Sequence, residues 1–175
     1  GVNNGGAMVT TADIMADNGI IHVVDRVIAL PTVTSLVVAN PDFSSLTAAL
    51  TRNDQPDFAG ILNGTTNSPF TVFAPTNAAF TSFLTEYSFA NLAAVPQAAL
   101  ENTLKYHVVT GSNVLSTALM NNMMVTTFQG EQFTLNTTGG ASIKDANDRV
   151  ANITMVDIQA SNGVIHSINK VLFPL

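Results

Sequence analysis

The chain of 175 residues contains no cysteine. Without thiols it can form no disulfide, use no thiolate nucleophile and build no zinc ribbon. The sequence also lacks any run of about 18 apolar residues, the length that a membrane-spanning helix requires. These absences exclude disulfides and cysteine-based catalysis, and they leave no segment of these 175 residues that could span a bilayer as a helix.

Charge is scarce as well, and most of it is negative. Charged residues make up 10 % of the chain, only six are basic, and the formal net charge is −6. Typical domains carry about 25 % charged residues. Binding to nucleic acid or to an anionic membrane needs clusters of Lys and Arg, and none is present. Solvated faces must consist largely of Thr, Ser, Asn and Gln, a composition that favours β structure and a secreted protein.

A sequence repeat links the two ends of the chain. Residues 7–31 and 151–175 are identical at ten of 25 positions when they are aligned at a spacing of 144 residues. The identical residues of the first copy are Ala7, Thr10, Asp13, Ile14, Ala16, Asn18, Gly19, Ile21, His22 and Val27. This spacing predicts a tandem array, in which residues 1–31 end a preceding unit and residues 32–175 form one complete unit. The alternative is that residues 1–31 are an N-terminal extension.

Each copy has the pattern of a β-hairpin. In the second copy, the β-branched segment 149–158 is followed by a Ser-Asn-Gly turn and by the alternating segment 164–172. The period of two places His166 on one face with Val164 and Ile168. A buried histidine on such a face usually donates to a backbone carbonyl, and we favour this structural role over metal or catalytic chemistry.

Helices are predicted in the first half of the complete unit. Asn40 and Pro41 mark the start of one helix, Thr76 or Asn77 caps another, and Pro96 opens a third. Residues 52–69 are predicted to form a polar, turn-rich connection with a short apolar piece at residues 61–62. The second half is a series of strands separated by glycine turns, so the fold class is α+β with a mainly antiparallel sheet.

Three segments in this order carry a family resemblance: "FTVFAPTNAAF" at 70–80, "LKYHVVTG" at 104–111 and "NGVIHSINKVLFP" at 162–174. They resemble the hallmark segments of the fasciclin domain. The resemblance implies a compact wedge, with a mainly antiparallel, β-sandwich-like core and helices packed on one side. It also implies a non-catalytic extracellular module of cell adhesion, found in tandem arrays, located outside the cell, on its surface or in the periplasm.

The resemblance also nominates site residues. In animal members, the Tyr-His segment and a nearby Asp-Ile pair have been linked to integrin binding, and the matching residues here are Tyr106, His107, Asp157 and Ile158. For each pair a structural role competes with ligand contact. Tyr106 and His107 lie where a helix meets a strand and are expected to bond to backbone there, and Asp157 can fix a turn. The segment with Asn162, Gly163 and His166 is interpreted as a structural motif.

No catalytic constellation can be assembled from the remaining residues. Thr76 and Asn77 are expected to cap a helix, and no nucleophile elbow, paired carboxylates or metal-ligand spacing is present. We therefore expect neither enzyme activity nor a metal or cofactor. Met120, Met123 and Met124 are expected to fill the core or plug an edge strand rather than form a binding surface.

Two functions remain open. In the first, the chain is a binding module for a cell-surface or matrix protein or for a polysaccharide. In the second, it is a self-associating structural module that donates residues 7–31 to a neighbour and so forms a homo-oligomer. Leaving the apolar residues of the first hairpin in water costs ~25 cal/mol per Å². The hairpin is therefore expected either to lie across its own domain or to add to the sheet of another chain.

Overall fold

The computed structural model describes residues 7–27 and 30–174. They form two compact units, Gly1–Pro31 and Thr32–Leu175, which we call the hairpin unit and the main unit. The hairpin unit consists of two antiparallel strands, β1 (Val9–Ala16) and β2 (Gly19–Val24). Its large apolar side chains are exposed over most of its length.

Short helices occupy the first half of the main unit. They are α1 (Val33–Ala39), α2 (Ser44–Leu50), α3 (Phe58–Asn63), α4 (Asn77–Glu86) and α5 (Gln97–Tyr106). Three 3₁₀ turns lie at Pro41–Phe43, Leu92–Ala94 and Ser116–Ala118. Helices this short are marginal in isolation, so their stability comes from the core they cover.

Side-chain caps explain where several helices begin. The predicted caps are confirmed at Asn40, whose side chain accepts from the N–H of Asp42, and at Thr76, which caps α4. Helix α3 is a correction, because the sequence predicts a polar connection here and the structure has a helix. It forms because Asp57 caps its first turn and because its apolar residues reach the core.

The main unit contains one seven-stranded sheet within its described residues. Its strands are β3 (Phe70–Pro75), β4 (Val108–Val109), β5 (Met123–Thr126), β6 (Gln132–Asn136), β7 (Ser142–Lys144), β8 (Val150–Ala160) and β9 (Gly163–Ile168). Their order across the sheet is β4-β3-β9-β8-β7-β6-β5. All neighbours are antiparallel except β3 and β9, which run parallel. The α+β class with a mainly antiparallel sheet is therefore confirmed.

Two hydrophobic clusters lie on opposite faces of β3 and β9. The first joins the helices to the residues on one face, such as Val72, Ala74 and Ile165. The second joins Phe73 and Ile168 on the other face to strands β5–β7. The rings of Phe73 and of Phe133 on β6 pack edge to face, with 5.3 Å between their centroids, so two parts of the sheet face each other across this cluster. The predicted sandwich-like core with helices on one side is thus present.

Strands β3 and β9 are buried along their whole length, because a cluster covers each of their faces. The period-two pattern of β9 correctly groups His166 with Ile168, but it gives no sign that the other face is covered as well.

The methionine prediction is mostly wrong. Met120 and Met124 are exposed, and only Met123 packs partly against the second cluster. Met124 alternates with the buried Val125 along strand β5, so its side chain lies on the face of that strand that the second cluster does not cover.

Candidate functional site

Tyr106 ends helix α5 and is fully buried. Its hydroxyl donates to the carbonyl of Gln132 at 2.8 Å and accepts from the N–H of Ala146 at 3.1 Å. Burial raises the pKa of this phenol to about 12. The side chain therefore ties the helix end to β6 and to the turn after β7, and it presents nothing to a partner.

His107 lies directly after the helix and is also buried. Its Nδ1 is 2.7 Å from the carbonyl of Thr103, and its Nε2 accepts from the N–H of Leu172 at 2.9 Å. These partners fix the neutral ring with its proton on Nδ1. Burial lowers the pKa of His107 to about 4. Both ring nitrogens are used internally, so the ring joins α5 to the C-terminal segment.

Asp157 occupies a bulge in strand β8. The register shifts between the pairs Met155–Ser167 and Ile158–Ile165, and Asp157 takes a left-handed conformation with φ of 60°. Its carboxylate accepts from both the N–H and the hydroxyl of Ser116. The hydrogen bond from the Ser116 side chain is the main reason that the pKa of Asp157 is lowered.

His166 lies on β9 opposite this bulge. Its Nδ1 accepts from the N–H of Asp157 at 3.4 Å, and its Nε2 donates to the carbonyl of Val114 at 2.8 Å. The ring is fully buried and stacks on Phe73. Asp157 and His166 together hold the loop of residues 114–116 against the sheet. The two loop residues that they bond, Val114 and Ser116, are missed by sequence reasoning, because no local pattern connects them to a hairpin some 40 residues later.

Ser161 and Asn162 form the turn that joins β8 to β9, and Gly163 is the first residue of β9. The Asn162 side chain accepts from the N–H of Val33 at 2.9 Å and donates to the carbonyl of Leu62 at 2.8 Å. It therefore fastens the turn to the start of α1 and the end of α3. A Cβ at Gly163 would lie 2.2 Å from the carbonyl oxygen of Phe70, so only glycine lets β3 approach β9 this closely.

The two nominated pairs do not form one site. Tyr106 and His107 bond to β6, the turn after β7 and the C-terminal segment, whereas Asp157 bonds to the loop of residues 114–116. Ile158 is half-buried and lines an open groove of about 340 Å³ between α1, the following 3₁₀ turn and the sheet. Leu36 and Pro41 contribute to the same groove. Of the four nominated side chains, only Asp157 and Ile158 are within reach of a partner.

The described residues include no group of three His, Cys, Asp or Glu side chains that could hold a metal ion. The same part of the chain has no helix with the length and apolar character needed to cross a bilayer.

The hairpin unit reproduces the geometry of the β8–β9 hairpin. All five of its paired positions correspond to paired positions of β8 and β9 at the spacing of 144 residues, bulge included. Asp13 has φ of 57°, and its N–H donates to Nδ1 of His22 at 3.2 Å, as Asp157 does to His166. The repeat in sequence is therefore a repeat in structure.

The fasciclin domain model matches residues 1–31 and 41–174. The chain belongs to the fasciclin domain family. The match is split, and its first part coincides with the hairpin unit.

Individual relatives come from bacteria and animals. Protein sll1483 of Synechocystis is 32 % identical over 82 % of this fasciclin chain and 73 % of its own length. The immunogenic protein MPB70 of Mycobacterium bovis is 33 % identical over 77 % of this chain and 65 % of its own length. Human periostin is 29 % identical over 91 % of this chain, which spans only 18 % of periostin.

A solved structure confirms the fasciclin fold. It is the FAS1 domain pair from the insect cell adhesion molecule fasciclin I, with a TM-score of 0.68 over 95 % of this chain and 60 % of that one. At 22 % sequence identity, this likeness shows the fold alone.

Proposed function

We propose that this fasciclin domain is a non-catalytic extracellular adhesion module, which binds a matrix or cell-surface protein, or a polysaccharide, through the groove beside Ile158. One observation carries the proposal: the Tyr-His pair is buried and bonded internally, while Ile158 lines an open groove with apolar walls. Accessible apolar side chains in a concave surface are typical of recognition sites. Family membership and the scarcity of charge support a place outside the cell, at its surface or in the periplasm.

The groove can be tested with paired variants. We expect Ile158→Thr to reduce attachment to the best ligand of a matrix-protein and polysaccharide screen at least tenfold, because it shortens one wall of the groove. Met155→Thr is the matched control, since Met155 is exposed on the same strand but does not line the groove. Equal loss in both variants, or in neither, would contradict the proposal.

His107 supplies a second comparison in the same assay. His107→Ala should lower the melting temperature while it leaves attachment by the folded fraction intact, because both ring nitrogens bond internally. If His107→Ala instead melts normally and loses attachment, the Tyr-His pair takes part in binding and its structural role is contradicted.

We also propose that residues 1–31 are the closing hairpin of a preceding fasciclin unit. The family match to residues 1–31 and the five equivalent residue pairs support this assignment.

A self-associating role is the second candidate, and the exposure of the hairpin favours it. Ile20 and Ile21 are 55 % and 54 % exposed, whereas their counterparts Val164 and Ile165 are fully buried. If the hairpin docks on a neighbouring chain, deletion of residues 1–31 should convert an oligomer to a monomer of the main unit. We expect this change in light-scattering mass for a self-associating module. A mass per particle that shows a monomer both before and after the deletion would contradict the self-associating role.

A further inference from the structure

Glycine at position 19 has no explanation within the hairpin unit. A Cβ added there would meet no described atom within 4 Å, and its φ lies outside the left-handed region that favours glycine. At the equivalent position in the main unit, the reason is clear: Gly163 lies against the backbone of Phe70, with which it pairs in the parallel β3–β9 ladder. Gly19 is therefore the residue that a β3-type strand would need beside β2.

Two polar groups of the hairpin unit point to the same conclusion. His166 uses Nε2 to donate to a loop carbonyl, and Asp157 uses its carboxylate to accept from Ser116. Within residues 7–27, Nε2 of His22 has no hydrogen-bond partner, and the carboxylate of Asp13 lies 4.0 Å from Nδ1 of His22. Both groups have the placement needed to hold a loop like that of residues 114–116.

We propose that the free edge of β2 is a docking site for a β3-type strand, which runs parallel to β2 and approaches it most closely at Gly19. The occupant is the remainder of the fasciclin unit that this hairpin closes, located upstream in the same polypeptide. In the main unit of this chain the equivalent position beside β3 is held by β9, so that unit is not the occupant. The inference rests on the proposed assignment of residues 1–31 to a preceding unit. It adds that the partner strand runs parallel to β2, and that Gly19, Asp13 and His22 make this contact specific.

The repeat spacing allows a direct test with residues of this chain alone. In a fused chain, residues 32–149 are followed directly by residues 6–175. Residue 6 then takes the place of residue 150, its counterpart at the spacing of 144, and the added segment supplies the rest of an upstream unit. We expect the first unit of the fused chain to fold, and the amides of β2 to exchange at least 100-fold more slowly than in the 175-residue chain.

Point variants then test the strand contact. In the fused chain, Gly19→Ala should lower the melting temperature of the first unit by more than 10 °C, and His22→Ala should lower it as well. In the 175-residue chain, Gly19→Ala should change no transition, because its Cβ meets open space. Asp17→Ser is the control, since its counterpart Ser161 is exposed in the turn.

The experiment distinguishes failure of the closing-hairpin assignment from failure of the strand contact at Gly19. If the first unit of the fused chain does not fold, residues 1–31 do not close a fasciclin unit, and both proposals fall. If it folds but Gly19→Ala is harmless, the closing role stands and the docking of a β3-type strand at Gly19 is overturned. Neither result depends on the adhesion assay, which can be run on Ile158 variants of the 175-residue chain.

Discussion

Replacing Gly163 by alanine is expected to lower the free energy of unfolding of the main unit by about 3 kcal/mol. The added Cβ would lie 2.2 Å from the carbonyl oxygen and 2.8 Å from the nitrogen of Phe70. These are backbone atoms of a central strand, so no side chain can rotate away. Relief requires β3 and β9 to separate, which also strains the bond from the N–H of Phe70 to the carbonyl of Asn162.

The matched control is the same substitution in the other copy. Gly19→Ala should change the stability of the main unit by less than about 0.5 kcal/mol, because its Cβ meets no atom within 4 Å. Tyrosine fluorescence in a urea titration reports the main unit selectively, since the chain has only Tyr87 and Tyr106. Equal unfolding midpoints for Gly163→Ala and the parent protein would contradict the close-approach argument.

Local signals made much of the fold predictable from sequence. The caps at Asn40 and Thr76 depend on residues two or three positions away, and the alternation in β9 depends only on neighbours. The repeat predicted two hairpins of the same kind, and even the bulge is shared by Asp13 and Asp157. These features are encoded where they occur.

The remaining features depend on partners far along the chain. The parallel pairing of β3 with β9 joins segments more than 90 residues apart, and Asn162 bonds to Val33 across 129 positions. The spacing of apolar residues within a segment does not indicate which distant segment it will contact. The sequence likewise leaves a structural role and ligand contact open for both the Tyr-His and the Asp-Ile pair, because their burial depends on distant segments that pack against them.

His107 should make the main unit markedly less stable in acid. Burial in the folded protein lowers the pKa of His107 from 6.5 to about 4, and the charge of Arg149 acts in the same direction. Between these two values the unfolded chain binds the proton and the folded ring does not. Stability is therefore fully present above pH 6.5 and is lost as the pH falls towards 4, by about 3 kcal/mol for this residue.

The contribution of His107 can be separated from that of the carboxylates by difference. The pKa values of Asp157 and Glu101 are also lowered by hydrogen bonds, from Ser116 and Lys105, so their protonation adds a loss of stability in acid. This loss is common to the parent protein and to His107→Gln, whose amide can still donate to Thr103 and accept from Leu172. The stability difference between the two proteins should consequently shrink by about 3 kcal/mol between pH 7 and pH 4. Urea titrations at half-unit pH steps measure it, and parallel curves across this range would show that the ring of His107 is protonated as readily in the folded protein as in the unfolded chain.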